Sequence, residues 1–371
     1  MPSQTEIPVY FKITIIAVGV LACSYILVLG QSIIVPLLYA TLFAILLHPA
    51  VSFLTGKKLN RIIAIAITMT VALAFLAGLL YLLVWQAQTL SSTFPKFQEK
   101  FFLLSANTVD WMAAHLHLSA AQINAWIDNM RTQMLDNSGS YIGQTFSALG
   151  VMVAGAVILP VYIFMLLYYQ PLILEFIRQL FSKEYHTSVA QIMAQIRTIV
   201  QSYLRGLMIE MVIVAVLNCI ALLALGVEYA ILLGIIGAVL NLIPYLGGIV
   251  AVLLPMIVAM VNQDPLHVFL VLGAYALIQF IDNNFLMPKV VASKVKVNAL
   301  ISIIGVLIGG ALWGIAGMFL SIPLLAVIKI VCDHVDYLKP WGYLLGDTMP
   351  PLTIVETFMQ KARVKKQVEH K

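Results

Sequence analysis

The chain has 371 residues, of which 62% are hydrophobic and only 10% are charged, with a formal net charge of +5 and a mean hydropathy of +1.00. An ordinary soluble domain carries about 25% charged residues, and one of this length could not cover so much apolar surface. Composition therefore excludes soluble, disordered, fibrous and disulfide-stapled classes and predicts an all-α polytopic membrane protein.

Stretches free of Asp, Glu, Lys and Arg mark the bilayer, and a spanning helix needs about 20 apolar residues. Residues 13–56 hold two helices, parted near Gly30-Gln31-Ser32. The first reads as an uncleaved transmembrane helix, because further spans follow directly. A third helix covers 62–86, closing a first block at 1–86. Residues 87–146 carry sparse, mixed charge. Ser119 with Gln122 forms a capping box, and Trp111, Leu116, Ile123, Trp126, Ile127 and Met130 recur at helical spacing. This predicts two or three amphipathic helices on the extracytoplasmic face. A fourth span follows over 147–170, with Pro160 as a kink.

Residues 171–204 form an inner segment in which Val189, Ile192, Ile196, Ile199, Val200 and Tyr203 line one face. That pattern predicts a cytoplasmic amphipathic helix. Residues 205–335 are the expected transport core, with spans at about 206–226 and 266–286. Two further stretches are interrupted. Residues 229–261 break at Asn241, Pro244, Tyr245, Gly247 and Gly248, and residues 299–331 break at Gly309, Gly310, Gly314 and Gly317. Each is either a pair of full spans or two half-helices forming a re-entrant hairpin. Their halves of about 13–17 residues are short for full spans. The sum is about eight membrane segments, six spans plus two hairpins. Residues 336–371 form a basic tail.

Lysine and arginine orient the chain. With the N-terminus cytoplasmic, 18 of the 21 basic residues fall on the inner side, leaving Lys96, Lys100 and Arg131 outside. This positive-inside split places both termini in the cytoplasm of a bacterial inner-membrane protein. The net charge then reflects topology and anionic lipid rather than nucleic acid, for which no motif is present. In the hairpin reading, 206–261 and 266–331 repeat one order of elements in opposite orientation. Such an inverted repeat is a frequent basis of alternating access in secondary transporters.

Cys23, Cys219 and Cys332 are widely spaced and suggest neither a disulfide framework nor a zinc site. His48, His115, His117 and His186 lack metal-ligand spacing, so no metal or cofactor is expected. Hydrolase, zincin and P-loop signatures are missing from the sequence, which argues against an enzyme and against an ATP-driven pump within this chain.

Ionisable residues inside a membrane are costly and usually functional. Glu210 and Asp282 are the carboxylates that fall within spans, so they are candidates for binding a proton or sodium ion. The bland alternative pairs them with Arg205 and Lys289. Asn241 and Tyr245 flank the first break, where exposed helix ends coordinate solutes or cations. Gln279 and Asn283 stand four apart on one helix face and could meet that tip, as could Asn284. Asn218 reads as interhelical glue.

Several of these residues also carry a resemblance. Tyr203-Leu204-Arg205-Gly206, Leu225-Gly226-Val227-Glu228-Tyr229-Ala230, Leu240 to Gly248, Gln279 to Asn284 with Met287-Pro288-Lys289, and Gly309 to Gly317 with Ile322-Pro323 resemble the autoinducer-2 exporter (AI-2E) family of bacterial membrane proteins. Asp282 stands where Glu is often expected. The resemblance implies export of small solutes, autoinducer-2 for some members, with sodium/proton exchange suggested for others. A secondary exporter of a small polar solute, coupled to H+ or Na+, is thus the leading expectation. A channel-like or scaffold protein and a Na+/H+ antiporter are the alternatives. The partners expected are the solute or ion, the lipid bilayer and further copies of the chain in a homo-oligomer.

Overall fold

The computed structural model describes residues 8–85, 138–243, 247–262, 264–292 and 297–349, and every regular element among them is helical. The amphipathic helices expected between 87 and 137 and the tail beyond 349 lie outside the described residues. The protein is an all-α polytopic membrane protein. Six of its helices are long and apolar enough to cross a bilayer, and shorter apolar helices accompany them.

Helix α1 runs Val9–Leu29 and α2 Gln31–Gly56, separated at Gly30 as the sequence pattern anticipates. Helix α3 covers Arg61–Trp85 and α4 Ser138–Gln179, which passes through both Pro160 and Pro171 without ending. Ala40, Ala44 and Val51 of α2 pack with Ala64, Ile65 and Met69 of α3 and with Ile163 and Leu167 of α4. The alanines among them, Ala40, Ala44 and Ala64, let the backbones approach, which is how helices associate where lipid supplies no hydrophobic drive. The outer faces keep large apolar side chains exposed, among them Ile16, Leu21 and Ile26 on α1 and Val71, Phe75 and Tyr81 on α3. In lipid such exposure carries no penalty.

The inner amphipathic segment and the fifth span are a single helix, α5, over His186–Ala224. At 39 residues it is about 58 Å long, nearly twice the hydrocarbon thickness. Its first half therefore projects past the membrane. There Gln201 Nε2 donates to the Ile45 carbonyl (2.9 Å) and Arg197 Nη2 donates to His48 Nδ1 (2.6 Å), fixing it against α2. Arg61 Nη2 reaches the Leu167 carbonyl (2.6 Å), tying α3 to α4.

Helices α6 (Ala230–Asn241) and α7 (Gly247–Asn262) have 12 and 16 residues, about 18 and 24 Å. They fold back on each other. A side chain at Gly247 would collide with the backbone of Leu240 and Asn241. Helix α8 (Pro265–Ile281) leads directly into a π-helical segment, Asp282–Ala292. Pro288 lies in that segment and lacks the N–H that a regular helix would offer to Asn284, so the wider winding has a local cause.

Element α9, Ala299–His334, is two helical arms joined at a reversal where Trp313 and Gly314 leave helical geometry. Gly314 has φ 60° and ψ −143°, a conformation open essentially to glycine alone. The arms pack antiparallel: Ser321 Oγ donates to the Gly305 carbonyl (2.9 Å), and a side chain on Gly309 would clash with the Gly317 backbone. The arms have about 14 and 20 residues, so the first is short of a full span. Short helix α10 (Lys339–Leu345) clamps the base of this hairpin, since Asn298 Nδ2 donates to the carbonyls of Leu344 (2.7 Å) and Gly346 (3.0 Å).

Candidate functional site

Helix α5 is the hub of the second half, touching α2, α6, α8, α9 and the π segment. Its buried face runs Val200, Tyr203, Leu207, Glu210, Val214, Asn218 and Leu222, a spacing of three and four that keeps one stripe inward. Glu210 is therefore buried by helical periodicity, at 2% exposure. Asp282 is the first residue of the π segment and is equally buried at 2%. The fold brings the two carboxyl groups within hydrogen-bonding reach of each other.

Asn241, the last residue of α6, completes the group. Its Nδ2 donates to Asp282 Oδ2 at 2.9 Å. Glu210 Oε2 and Asp282 Oδ1 are both buried without a hydrogen-bond partner. Among the described residues no lysine or arginine stands among the groups acting on either carboxyl, and Arg205, five residues before Glu210, is exposed. The expected alternative of an Arg205 pairing is thus not what surrounds Glu210.

Gln279 is half-buried beside the same tip. A side chain on Gly248 would sit 2.8 Å from its carboxamide carbon, so glycine there lets the hairpin touch α8. Gln279 Nε2 donates to Asn283 Oδ1 at 3.3 Å, while Asn283 itself is exposed. Asn284 turns back to donate to the Phe280 carbonyl (2.9 Å) on its own helix. Pro244 and Tyr245 lie outside the described residues. Gly310, Gly314 and Gly317 belong to the second hairpin, whose tip docks away from the carboxyls: Trp313 Nε1 donates to the Leu27 carbonyl (3.0 Å) of α1, and Tyr39 Oη of α2 to the Ala316 carbonyl (3.1 Å). Leu242 of the first tip and Trp313 of the second nonetheless belong to one apolar cluster with Tyr203, Leu207 and Leu320.

The site thus gathers paired acids and amides at a junction of short helices. The comparison with known sequences decides the class. Residues 14–336 match the model of the AI-2E family transporters. The chain belongs to that family. It is 26% identical over 323 residues to the AI-2 transport protein TqsA of Escherichia coli (strain K12), covering 86% of this chain and 90% of TqsA. It is 25% identical over 322 residues to YrrI of Bacillus subtilis (strain 168), covering 82% and 87%. YhhT of Escherichia coli (strain K12) is 23% identical over 353 residues, covering 94% and 97%. As an AI-2E family member the protein is a multi-pass membrane transporter.

One buried polar residue escaped the sequence reading. Tyr275 is 7% exposed and its hydroxyl has no hydrogen-bond partner. It lies seven residues before Asp282, so α8 and the start of the π segment carry the two on one face. That periodicity is the signal that could have found it.

Proposed function

We propose that this transporter is a proton-coupled exporter of a small polar solute of the autoinducer-2 kind, with Glu210 and Asp282 as the coupling site. The observation that carries the reading is the adjacency of these two buried carboxyls without a basic partner. Two unit charges about 4 Å apart repel by about 4 kcal/mol even at an effective dielectric near 20. Such a pair is complete only with one bound cation. A proton suffices, because a single O–H shared between the acids satisfies both. Asn241 then links occupancy to structure, since it bonds Asp282 from the tip of the first hairpin. Loading and unloading the pair alters that bond and so biases the hairpin between two positions, as alternating access requires.

The orientation proposed has both termini in the cytoplasm of a bacterial inner membrane. It rests on the lysine and arginine distribution, and the gathering of Arg61 and Arg197 around Leu167 and His48 at one end of the bundle supports it. The solute class rests on the printed name of TqsA and on the amide and carboxyl groups near the first tip, which suit a hydroxylated, uncharged molecule.

Reconstituted protein tests this. Solute efflux should accelerate with an inward proton gradient, and Glu210→Gln or Asp282→Asn should abolish the dependence while leaving downhill exchange. Flux that follows sodium and ignores pH would replace the proton with sodium. Undiminished gradient dependence in both variants would remove the pair from the mechanism.

A further inference from the structure

The end of the bundle where α2 turns into α3 gathers cations with no acid to balance them. Arg61 is the first residue of α3, an otherwise uncharged span. It is half-buried, its Nη2 donates to the Leu167 carbonyl of α4 (2.6 Å), and its Nε is buried with no partner. Arg197 reaches the same place from α5, where its Nη2 donates to His48 Nδ1 (2.6 Å). A guanidinium only donates, so that ring nitrogen accepts and the imidazole is neutral. Ser52 Oγ stands 2.9 Å from the same nitrogen. Arg61 and Gln170 of α4 also act on the ring, which brings both guanidiniums to one imidazole.

Among the described residues neither arginine has a carboxylate within ion-pair distance. Helices α2 and α3 contain no acid at all. The acid of α4 is Glu175, and Arg178 holds both of its oxygens (2.8 and 2.6 Å). The acid of α5 is Glu210, thirteen residues or about 20 Å along the helix from Arg197. Glu184 lies thirteen residues before Arg197, ahead of α5. A charge drawn partly out of water needs an opposite charge, and these four helices supply none.

The surface beside the cluster is apolar and open. Ile62 and Ile63, which follow Arg61, are exposed, as are Tyr168 and Tyr169, which follow Leu167. The two tyrosine rings meet edge to face with centroids 4.9 Å apart. Exposed tyrosines of this kind mark the headgroup level of a bilayer. We propose that Arg61 and Arg197 together bind the phosphate of an anionic phospholipid, whose acyl chains lie on this apolar surface. Phosphate oxygens accept from the N–H groups that the two forks do not direct at Leu167 and His48. A zwitterionic headgroup would bring a further cation to a cluster that has no acid, and a free anion would leave the adjoining apolar surface unused. The bound lipid ties α3 and α4 to α5, the helix that carries Glu210. The site stands independently of the coupling role of that residue.

The test titrates full-length protein in detergent with phosphatidylglycerol, phosphatidylcholine or inorganic phosphate and follows the thermal midpoint. Phosphatidylglycerol should raise the midpoint of wild type, and about tenfold more of either alternative should be needed for the same shift. Arg61→Gln and Arg197→Gln should each require about tenfold more phosphatidylglycerol for a half-maximal shift, the worth of one charge-assisted hydrogen bond. Both variants also lose a bond between helices, so the reading is the lipid-dependent shift and not the starting midpoint. Arg178→Gln removes the same charge from an exposed ion pair and should stay within about twofold of wild type. In wild type itself, a photoactivatable phosphatidylglycerol should label peptides containing Arg61 or Arg197, a reading that needs no variant to fold. Unchanged half-maximal concentrations in both Gln variants overturn the site. So does an equal weakening in Arg178→Gln, or labelling confined to other peptides. Equal shifts with phosphatidylcholine overturn the anionic headgroup, and equal shifts with inorganic phosphate overturn the lipid in favour of a free anion.

Discussion

Asn241 and Asp282 are 41 positions apart in sequence, yet Asn241 Nδ2 donates to Asp282 Oδ2 at 2.9 Å. This single bond joins the tip of a broken helical hairpin to a buried carboxyl pair, and through it the occupancy of the pair can be felt by a movable element. A hydrogen bond to a charged group is worth about 1.5–3 kcal/mol. Asn241→Ala should therefore destabilise the solute-free protein by about 2 kcal/mol, read as a lowered thermal midpoint in detergent, and should uncouple transport from the gradient. An unchanged midpoint together with intact coupling would show that the bond links nothing.

The carboxyl pair should respond in the opposite sense. Glu210→Gln exchanges one repelling oxygen for an amide donor facing Asp282. The charge repulsion disappears and a charge-assisted hydrogen bond replaces it. The variant should unfold at a higher temperature than wild type at alkaline pH, where the wild-type pair has lost its shared proton, while losing gradient-driven flux. The gain should fade in acid, where wild type no longer holds two charges at the site. A lower midpoint at every pH would mean that Glu210 has a stabilising partner.

The glycines divide by their surroundings. Gly314→Ala forces a side chain into φ 60°, ψ −143° and should cost about 1–3 kcal/mol. Gly309→Ala drives a methyl into the Gly317 backbone and should cost a similar amount by overpacking. Gly273, on α8, has nothing within 4 Å of a built side chain, so Gly273→Ala should be neutral or gain up to about 1 kcal/mol from helix propensity. Yield of monodisperse protein and its thermal midpoint rank the three. Equal behaviour of Gly309→Ala and Gly273→Ala would contradict the close approach of the hairpin arms.

Topology is checked with single cysteines in a background lacking Cys23, Cys219 and Cys332. Cysteines at 60 and 185 should be shielded from an impermeant thiol reagent added outside, as should one at 293, whereas one at 105 should be labelled. Labelling at 60 or 185 from outside reverses the orientation drawn from the basic residues.

The membrane character and most element positions follow from the chain itself. The bilayer selects for length and absence of charge, both local properties, so the separation at Gly30, the third helix near 62–86 and the interruptions at 241–248 and 309–317 are all readable without a fold. The burial of Glu210 is half readable, because its spacing from Tyr203, Leu207 and Val214 places it on the apolar stripe of α5. What local pattern cannot express is which stripe meets which. That Glu210 lies against Asp282, that Asn241 rather than Arg205 or Lys289 supplies a named partner, and that Tyr275 meets Asn218 at Gly237 depend on the crossing of α5 with α6 and α8. Those crossings are set by close approaches at glycines, Gly234 and Gly237 on α6 and Gly248 on α7, where missing side chains rather than present ones decide the contact. The continuity of α5 from His186 to Ala224 was likewise hidden. Its polarity changes midway as it leaves the membrane, and a change of solvent along one helix looks, in sequence, like a boundary between two. Sequence alone determined the solvent each segment lives in. Tertiary packing alone determined which buried polar groups face each other, because a charge in a low-dielectric interior is defined by its neighbours and not by its own position in the chain.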